Sequence, residues 1–187
     1  MGPLGGGGGG GCKNCFRIPQ AGFAPGVFTD LSGIPQVAYK DTMGVSLRIP
    51  KMNVNMNIVG VPLVNGVWQV DWLTGVGGWL QGTAFPGLSG NSVIMGHVVT
   101  HYGSNGPFAN LTRLQAGDLI FFTAFGRVYV YKVRSAGDVA PNDITVLNHA
   151  DHPVLTLITC SKYNLLTQSY DGRWVVRADL VQVDPLR

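Results

Sequence analysis

Hydrophobic positions recur along the chain in short runs rather than in long helical stripes. Eight segments carry them: VSLRIP (45–50), NMNIVGVPLV (55–64), VWQVDW (67–72), NSVIMGHVV (91–99), DLIFFTA (118–124), RVYVYKVRSA (127–136), VLTLITC (154–160) and RWVVRADLVQV (173–183). They are rich in β-branched and aromatic residues and bounded by Gly, Pro, Asn or Asp, the pattern of strands separated by turns. Helical signals are confined to a turn or two over 108–114, closed by Gly117, and to a short piece near Trp79. Nothing has the length of a crossover helix between parallel strands. The sheet is therefore expected to be largely antiparallel, and eight strands suggest a barrel or a sandwich.

The strand pattern does not reach the beginning of the chain. Gly5 to Gly11 form an unbroken glycine run, the composition of a flexible linker, and residues 16–37 are rich in Pro and Gly, which reads as an extended lead-in strapped to the surface. The expected division is a glycine-rich tail and lead-in over 1–43, followed by one folded domain over 44–187.

Composition agrees with a globular domain. Of 187 residues, 45% are hydrophobic and 12% charged, enough apolar material for a core without staples. The 13 Lys+Arg against 10 Asp+Glu leave a net charge of +3, with no basic run or basic helix face. Nucleic acid is thus a poor match as partner. No apolar stretch reaches the ~18 residues of a membrane helix, and no signal-peptide pattern opens the chain, so the sequence as written is expected to be soluble.

Three cysteines do not make a disulfide framework. Cys12 and Cys15 form a lone CxxC without the second ligand pair of a zinc site or the βαβ context of a redox motif, and read as an incidental or local pair. Cys160 is left unpaired at the end of an apolar run. A strand cysteine is ordinarily a small core residue; a nucleophilic one needs a base or ion-pair partner and a group to stabilise an oxyanion. His97 and Arg173 are of the right chemical types. The i, i+4 pair His97 and His101 is not a metal motif, because residues four apart on a strand lie ~13 Å apart at ~3.3 Å each. His101, His149 and His152 sit among loop-like residues and are expected to be exposed or locally hydrogen-bonded.

These residues resemble a known family. TLITC at Thr156–Cys160 resembles the TLxTC signature of sortases, the surface transpeptidases of Gram-positive and related bacteria. GNSVIMGH (90–97) looks like the family's histidine strand and GPFANLTRLQAGDLIFF (106–122) like the helix and strand that follow. VAPNDITVL (139–147) resembles a loop of the family and GRWVVRADL (172–180) the segment bearing its arginine. The resemblance runs in the family's order over about 44–183.

It implies a mainly β fold, a closed eight-stranded sortase-type β-barrel with one or two short helices. It implies Cys160 as nucleophile, His97 as general acid/base and Arg173 as the cation that holds substrate and oxyanion. Arg177, on the same strand face, is the rival for that role; Arg173 is preferred because it opens the strand beside the loop. Thr159 and Trp174 are the expected substrate contacts, and the polar stretch 161–172 the expected loop over the peptide. The implied reaction is cleavage of an LPxTG-like sorting signal, with a thioacyl-enzyme resolved by an amine of a cell-wall cross-bridge or pilin. A hydrolase without acceptor and an inactive peptide-binding barrel are the alternatives. Calcium-binding sortases use acidic loops, but residues 73–91 contain no Asp or Glu and 147–153 only Asp151, so no metal and no cofactor are expected. The implied place of action is the extracellular face of the cell membrane, reached through an anchor absent from this sequence.

Overall fold

The computed structural model describes residues 17–187. In chain order the strands are β1 (Lys40–Ile49), β2 (Val54–Val61), β3 (Leu63–Val64), β4 (Val67–Trp68), β5 (Gly77–Leu80), β6 (Gly90–Met95), β7 (Leu119–Ala124), β8 (Arg127–Val139), β9 (Pro153–Asn164) and β10 (Ser169–Pro185). Eight of them close a barrel in the order β1-β2-β5-β6-β9-β10-β8-β7, while β3 and β4 form a separate two-stranded hairpin. Most neighbours are antiparallel; β2 with β5 and β6 with β9 are parallel. The chain returns between parallel partners through β-hairpins instead of crossover helices, the β3–β4 hairpin in the first case and the β7–β8 hairpin in the second.

Helix is confined among the described residues to 3₁₀ turns at Pro50–Met52, Leu111–Arg113 and Ile144–Leu147. The helical signal over 108–114 shrinks to the middle one, which buries Leu111 against the barrel core. The expected helical piece near Trp79 is instead β5. Its glycines hid it: a Cβ on Gly77 would lie 2.6 Å from Ile58 Cδ1, and one on Gly78 would lie 2.4 Å from Val61 Cγ2. Close packing against β2 thus demands the residue that lowers strand propensity. VWQVDW errs the other way, since only Val67–Trp68 is strand and the rest turns inward to bury Val70 and Leu73. Eight strands were expected and eight close the barrel, but one member of the set differs.

The barrel has two apolar layers. Leu47, Ile49, Ile58, Ile94, Phe122, Leu155, Leu157, Val176 and Ala178 fill its interior. The opposite face of the same strands is covered as well, with Val93, Met95, Ile158 and Val175 packing against Val61, Val70, Leu73, Leu80 and, from the lead-in, Ile18 and Ala21. β6 is therefore buried at all six positions, its polar Asn91 satisfied there by donating to the Val146 and Asn148 carbonyls and accepting from Thr156 Oγ1.

The polar stretch 161–172 is not a long loop. Ser161 pairs with Gly172, Tyr163 with Tyr170 and Asn164 with Ser169, leaving only residues 165–168 as a turn. On its β10 side Tyr170 and Gly172 are buried while Asp171 is exposed, and Tyr170 Oη–H donates to Phe23 O, so polar residues here alternate with ones held against the lead-in.

Candidate active site

Three neighbouring segments of the sheet present the candidate residues side by side. β9 carries Cys160, and in the β9–β10 ladder Arg173 is its direct cross-strand partner. On the other side β6 runs parallel to β9 with Met95 level with Ile158. The ladder continues as Gly96 N–H donates to Ile158 O at 3.2 Å, and Thr159 Oγ donates to Gly96 O at 2.7 Å. His97 is thereby carried level with Cys160. Strands lie ~4.8 Å apart, so one row across three strands holds imidazole, thiol and guanidinium in that order.

The period of two decides which neighbours share that row. Arg177 lies on the same face as Arg173 but opposite Thr156, ~13 Å away along the strand, and its guanidinium donates to Thr145 O. Thr159 and Trp174, expected beside the substrate, oppose each other on the alternate face, where Trp174 packs against the barrel interior. The structure does not bring their side chains to the face bearing Cys160. Thr159 instead tethers the backbone residue before His97.

All three side chains in the row are buried, with Cys160 2%, His97 0% and Arg173 4% exposed. What covers them is the lead-in. Ala21 N–H donates to Cys160 Sγ at 3.1 Å. Arg173 donates through Nε to Pro19 O at 2.9 Å and through Nη2 to Ile18 O at 3.2 Å, while its Nη1 reaches Gly172 O and Tyr170 O. Phe23 stacks on the His97 ring with centroids 5.1 Å apart. The strap is fixed further by Val98 N–H to Ala21 O, Phe23 N–H to Val99 O and Tyr170 Oη–H to Phe23 O. A surface lead-in was expected; the described part of it is a lid whose Ile18 and Ala21 belong to the core. Periodicity could not reveal these contacts, because a single extended pass has no repeat to read.

Burial sets the protonation states. Desolvation pushes the Cys160 thiol up to about 11, against the pull of the Arg173 cation and the Ala21 N–H. Desolvation likewise presses His97 down to about 4, opposed by hydrogen bonds to the Val70 and Asp71 backbone, with His101 adding a smaller downward push. His97 Nε2 lies 3.0 Å from Val70 O. A carbonyl only accepts, so Nε2 carries the proton and Nδ1 is left as a free acceptor, buried and without a partner among the described residues. At neutral pH the row holds a neutral imidazole, a neutral thiol and a cationic guanidinium, whose own proton affinity is lowered by burial.

The other histidines stand apart. His101 packs among the rings of Phe23, Phe28 and Tyr102. His149 is exposed. His152 bridges Asp151 at 2.7 Å and Asp179 at 3.2 Å, which raises its pKa. Among the described residues no group of three His, Cys, Asp or Glu side chains is placed to hold a metal ion. Cys12 and Cys15 lie outside them.

Comparison with known proteins places this geometry. The family model described as Sortase domain matches residues 47–181. The chain belongs to the sortase family. It is 34% identical over 80 residues to Sortase A of Staphylococcus aureus, a match spanning 42% of this chain and 39% of that protein. The sortase fold is shared with Sortase D5 transpeptidase of Clostridium perfringens, at TM-score 0.62 and 27% identity over 79% of this chain and 83% of the other. Sortase C of the same organism, solved with its C-terminal cell wall sorting motif, superposes at TM-score 0.63 and 25% identity, covering 79% of this chain and 74% of the other.

Proposed function

We propose that this sortase is a cysteine transpeptidase acting on an LPxTG-like sorting signal at the outer face of the cell membrane. The observation that carries the reading is the row formed by His97, Cys160 and Arg173 on three adjacent segments. As His97 Nδ1 takes up the Cys160 thiol proton, the sulfur attacks the carbonyl carbon that precedes the scissile bond, forming the S–C bond and leaving His97 protonated for the next step. Arg173 sits where it can neutralise the oxyanion that develops, the kind of charge complementarity that lowers acyl-transfer barriers. Collapse of the tetrahedral species breaks the C–N bond as His97, in its protonated form, gives a proton to the departing amine. The thioacyl-enzyme then meets an amine of a cell-wall cross-bridge or pilin, His97 takes that amine's proton, and an amide replaces the thioester. The Clostridium perfringens sortase C holding a sorting motif supports a peptide of this class as substrate.

The test offers a library of five-residue sorting signals with and without an oligoglycine acceptor and reads products by mass spectrometry. Ligated product confirms the proposal. Equal hydrolysis under both conditions makes the chain a hydrolase, and binding without cleavage makes it an inactive peptide-binding barrel; either outcome overturns it.

A further inference from the structure

A second cleft, of about 330 Å³, opens on the outer face of the sheet, and none of His97, Cys160 and Arg173 borders it. Arg177 of β10 does, ~13 Å along the strand from Arg173. A bulge brings Arg134 of β8 to the same cleft. Arg177 pairs with Ser135 and Ala178 with Val133, so Arg134 is an extra residue that the β8–β10 ladder leaves without a partner, and such insertions re-aim a side chain. His149 and His152, from the loop that precedes β9, supply further polar wall. Among the described residues no acidic side chain borders the cleft.

These walls are held in place before anything binds. Asn91 donates to Val146 O and Asn148 O at 2.8 and 3.1 Å, Gly90 N–H to His152 O at 3.2 Å and Ser89 Oγ to Asp151 O at 2.9 Å, which pins the loop to the start of β6. Gly90 has φ +121°, and a Cβ there would come 2.8 Å from His149 Cε1, so only glycine leaves room for that ring. Asp179 Oδ1 accepts from Arg134 Nη1 at 3.1 Å and from His152 Nε2 at 3.2 Å, while Asp151 Oδ1 lies 2.7 Å from His152 Nδ1. Carboxylate oxygens only accept, so both nitrogens of His152 carry protons and the ring is a cation. Arg134, Arg177 and His152 thus set three positive charges against the two negative ones of Asp151 and Asp179. Donors are left over as well. Each guanidinium has five N–H groups; Arg134 uses one on Asp179 and Arg177 one on Thr145 O, and His149 has no hydrogen-bond partner among the described residues.

We propose that this cleft is a binding site for the phosphate group of a phosphate ester, held by Arg134, Arg177 and His149. The donors come from β8, from β10 and from the loop, three separate elements, which suits a tetrahedral anion with several oxygens better than a planar carboxylate with two. Guanidinium forks match phosphate oxygens in pairs. The volume lies at the small end of small-molecule sites, which leaves room for the organic part of the ester beside its phosphate. The phosphate belongs either to a soluble ester or to a lipid headgroup. The site is independent of the transpeptidase reading, because no residue of the row takes part in it.

The test titrates the full-length chain with glycerol 3-phosphate, using sodium acetate and sodium chloride at matched ionic strength as controls, and follows the backbone amides by heteronuclear NMR. Saturable shifts at Arg134, at residues 145–152 and at Arg177 are expected from glycerol 3-phosphate alone, with none at Cys160 or Arg173. This measurement needs no substitution. Calorimetry then compares the parent with Arg134→Gln and Arg177→Gln, whose folding is checked by near-ultraviolet circular dichroism. Each should raise Kd at least about tenfold, as loss of a hydrogen bond between charged groups implies, and Arg177→Lys should raise it less. Vesicles of phosphatidylglycerol, set against phosphatidylcholine, separate the two sources. Co-sedimentation that the double Gln variant loses assigns a lipid headgroup; glycerol 3-phosphate binding without co-sedimentation assigns a soluble ester. Shifts that acetate reproduces, shifts centred on Arg173, failure to saturate, or an unchanged Kd in both folded Gln variants overturns the proposal.

Discussion

Cys160 and Arg173 face each other directly across the β9–β10 ladder, thirteen positions apart in sequence yet adjacent in space. The hairpin turn at 165–168 sets this register, and with it the cation that stands beside the sulfur. Arg177, the other candidate, is held two alternations further on, against Thr145.

Replacing Cys160 by Ala is expected to abolish thioacyl formation and leave the barrel folded. The side chain is small and lies under the strap, outside the barrel interior, so the stability change should stay near the ~1 kcal/mol typical of single substitutions. Acyl-enzyme trapping by mass spectrometry, alongside thermal unfolding, checks both halves; retained turnover would sink the assignment.

His97→Ala should lower kcat by ~10²–10⁴-fold, the usual worth of a positioned proton donor. His101→Ala, His149→Ala and His152→Ala should remain within a few-fold of the parent, because none of these rings shares the row with Cys160. Steady-state kinetics on the four variants decides, and an equal loss at His101 would point to the wrong imidazole.

Arg173→Lys keeps the charge but not the fork that reaches the carbonyls of Ile18, Pro19, Tyr170 and Gly172 together. An ammonium cannot reproduce that planar geometry, so activity should drop on the order of 10²-fold, as when one oxyanion donor is removed. Arg177→Lys should change little. The reverse ranking would show that the cation comes from the other position.

Stability should decline in mild acid through His97. Its folded pKa is depressed to about 4 against the ordinary 6.5, so the unfolded chain takes up this proton first as pH falls. The contribution is complete above pH 6.5 and is lost progressively as pH falls toward 4, amounting to up to about 3 kcal/mol by linkage. Denaturant titrations of the parent and His97→Gln across that window measure it. The difference between the two chains should narrow toward acid pH, and a constant difference would refute the depressed pKa.

The amino-acid sequence by itself determined the class of the molecule. Alternation and β-branching marked β1, β2 and β6 to β10, because strands with a buried face impose a period of two that any reader of the chain can see. The TLITC run, the histidine two residues beyond β6 and the arginine opening RWVVRADL stood out for another reason, their resemblance in order and local sequence to one family. β5 was missed because Gly77 and Gly78 answer to contacts from Ile58 and Val61 rather than to local propensity, and Val67–Trp72 was overread because apolar residues can be buried by a turn as well as by a strand. Thr159 and Trp174 had the right place in sequence and the wrong face, since adjacency along a strand places side chains on opposite sides. Only the tertiary structure could decide that Cys160, His97 and Arg173 form one row and that Ile18 to Phe23 lie over it. Both depend on pairing between residues far apart in the chain, and nothing local in RIPQAGF records the Cys160 sulfur 139 residues away that its amide meets.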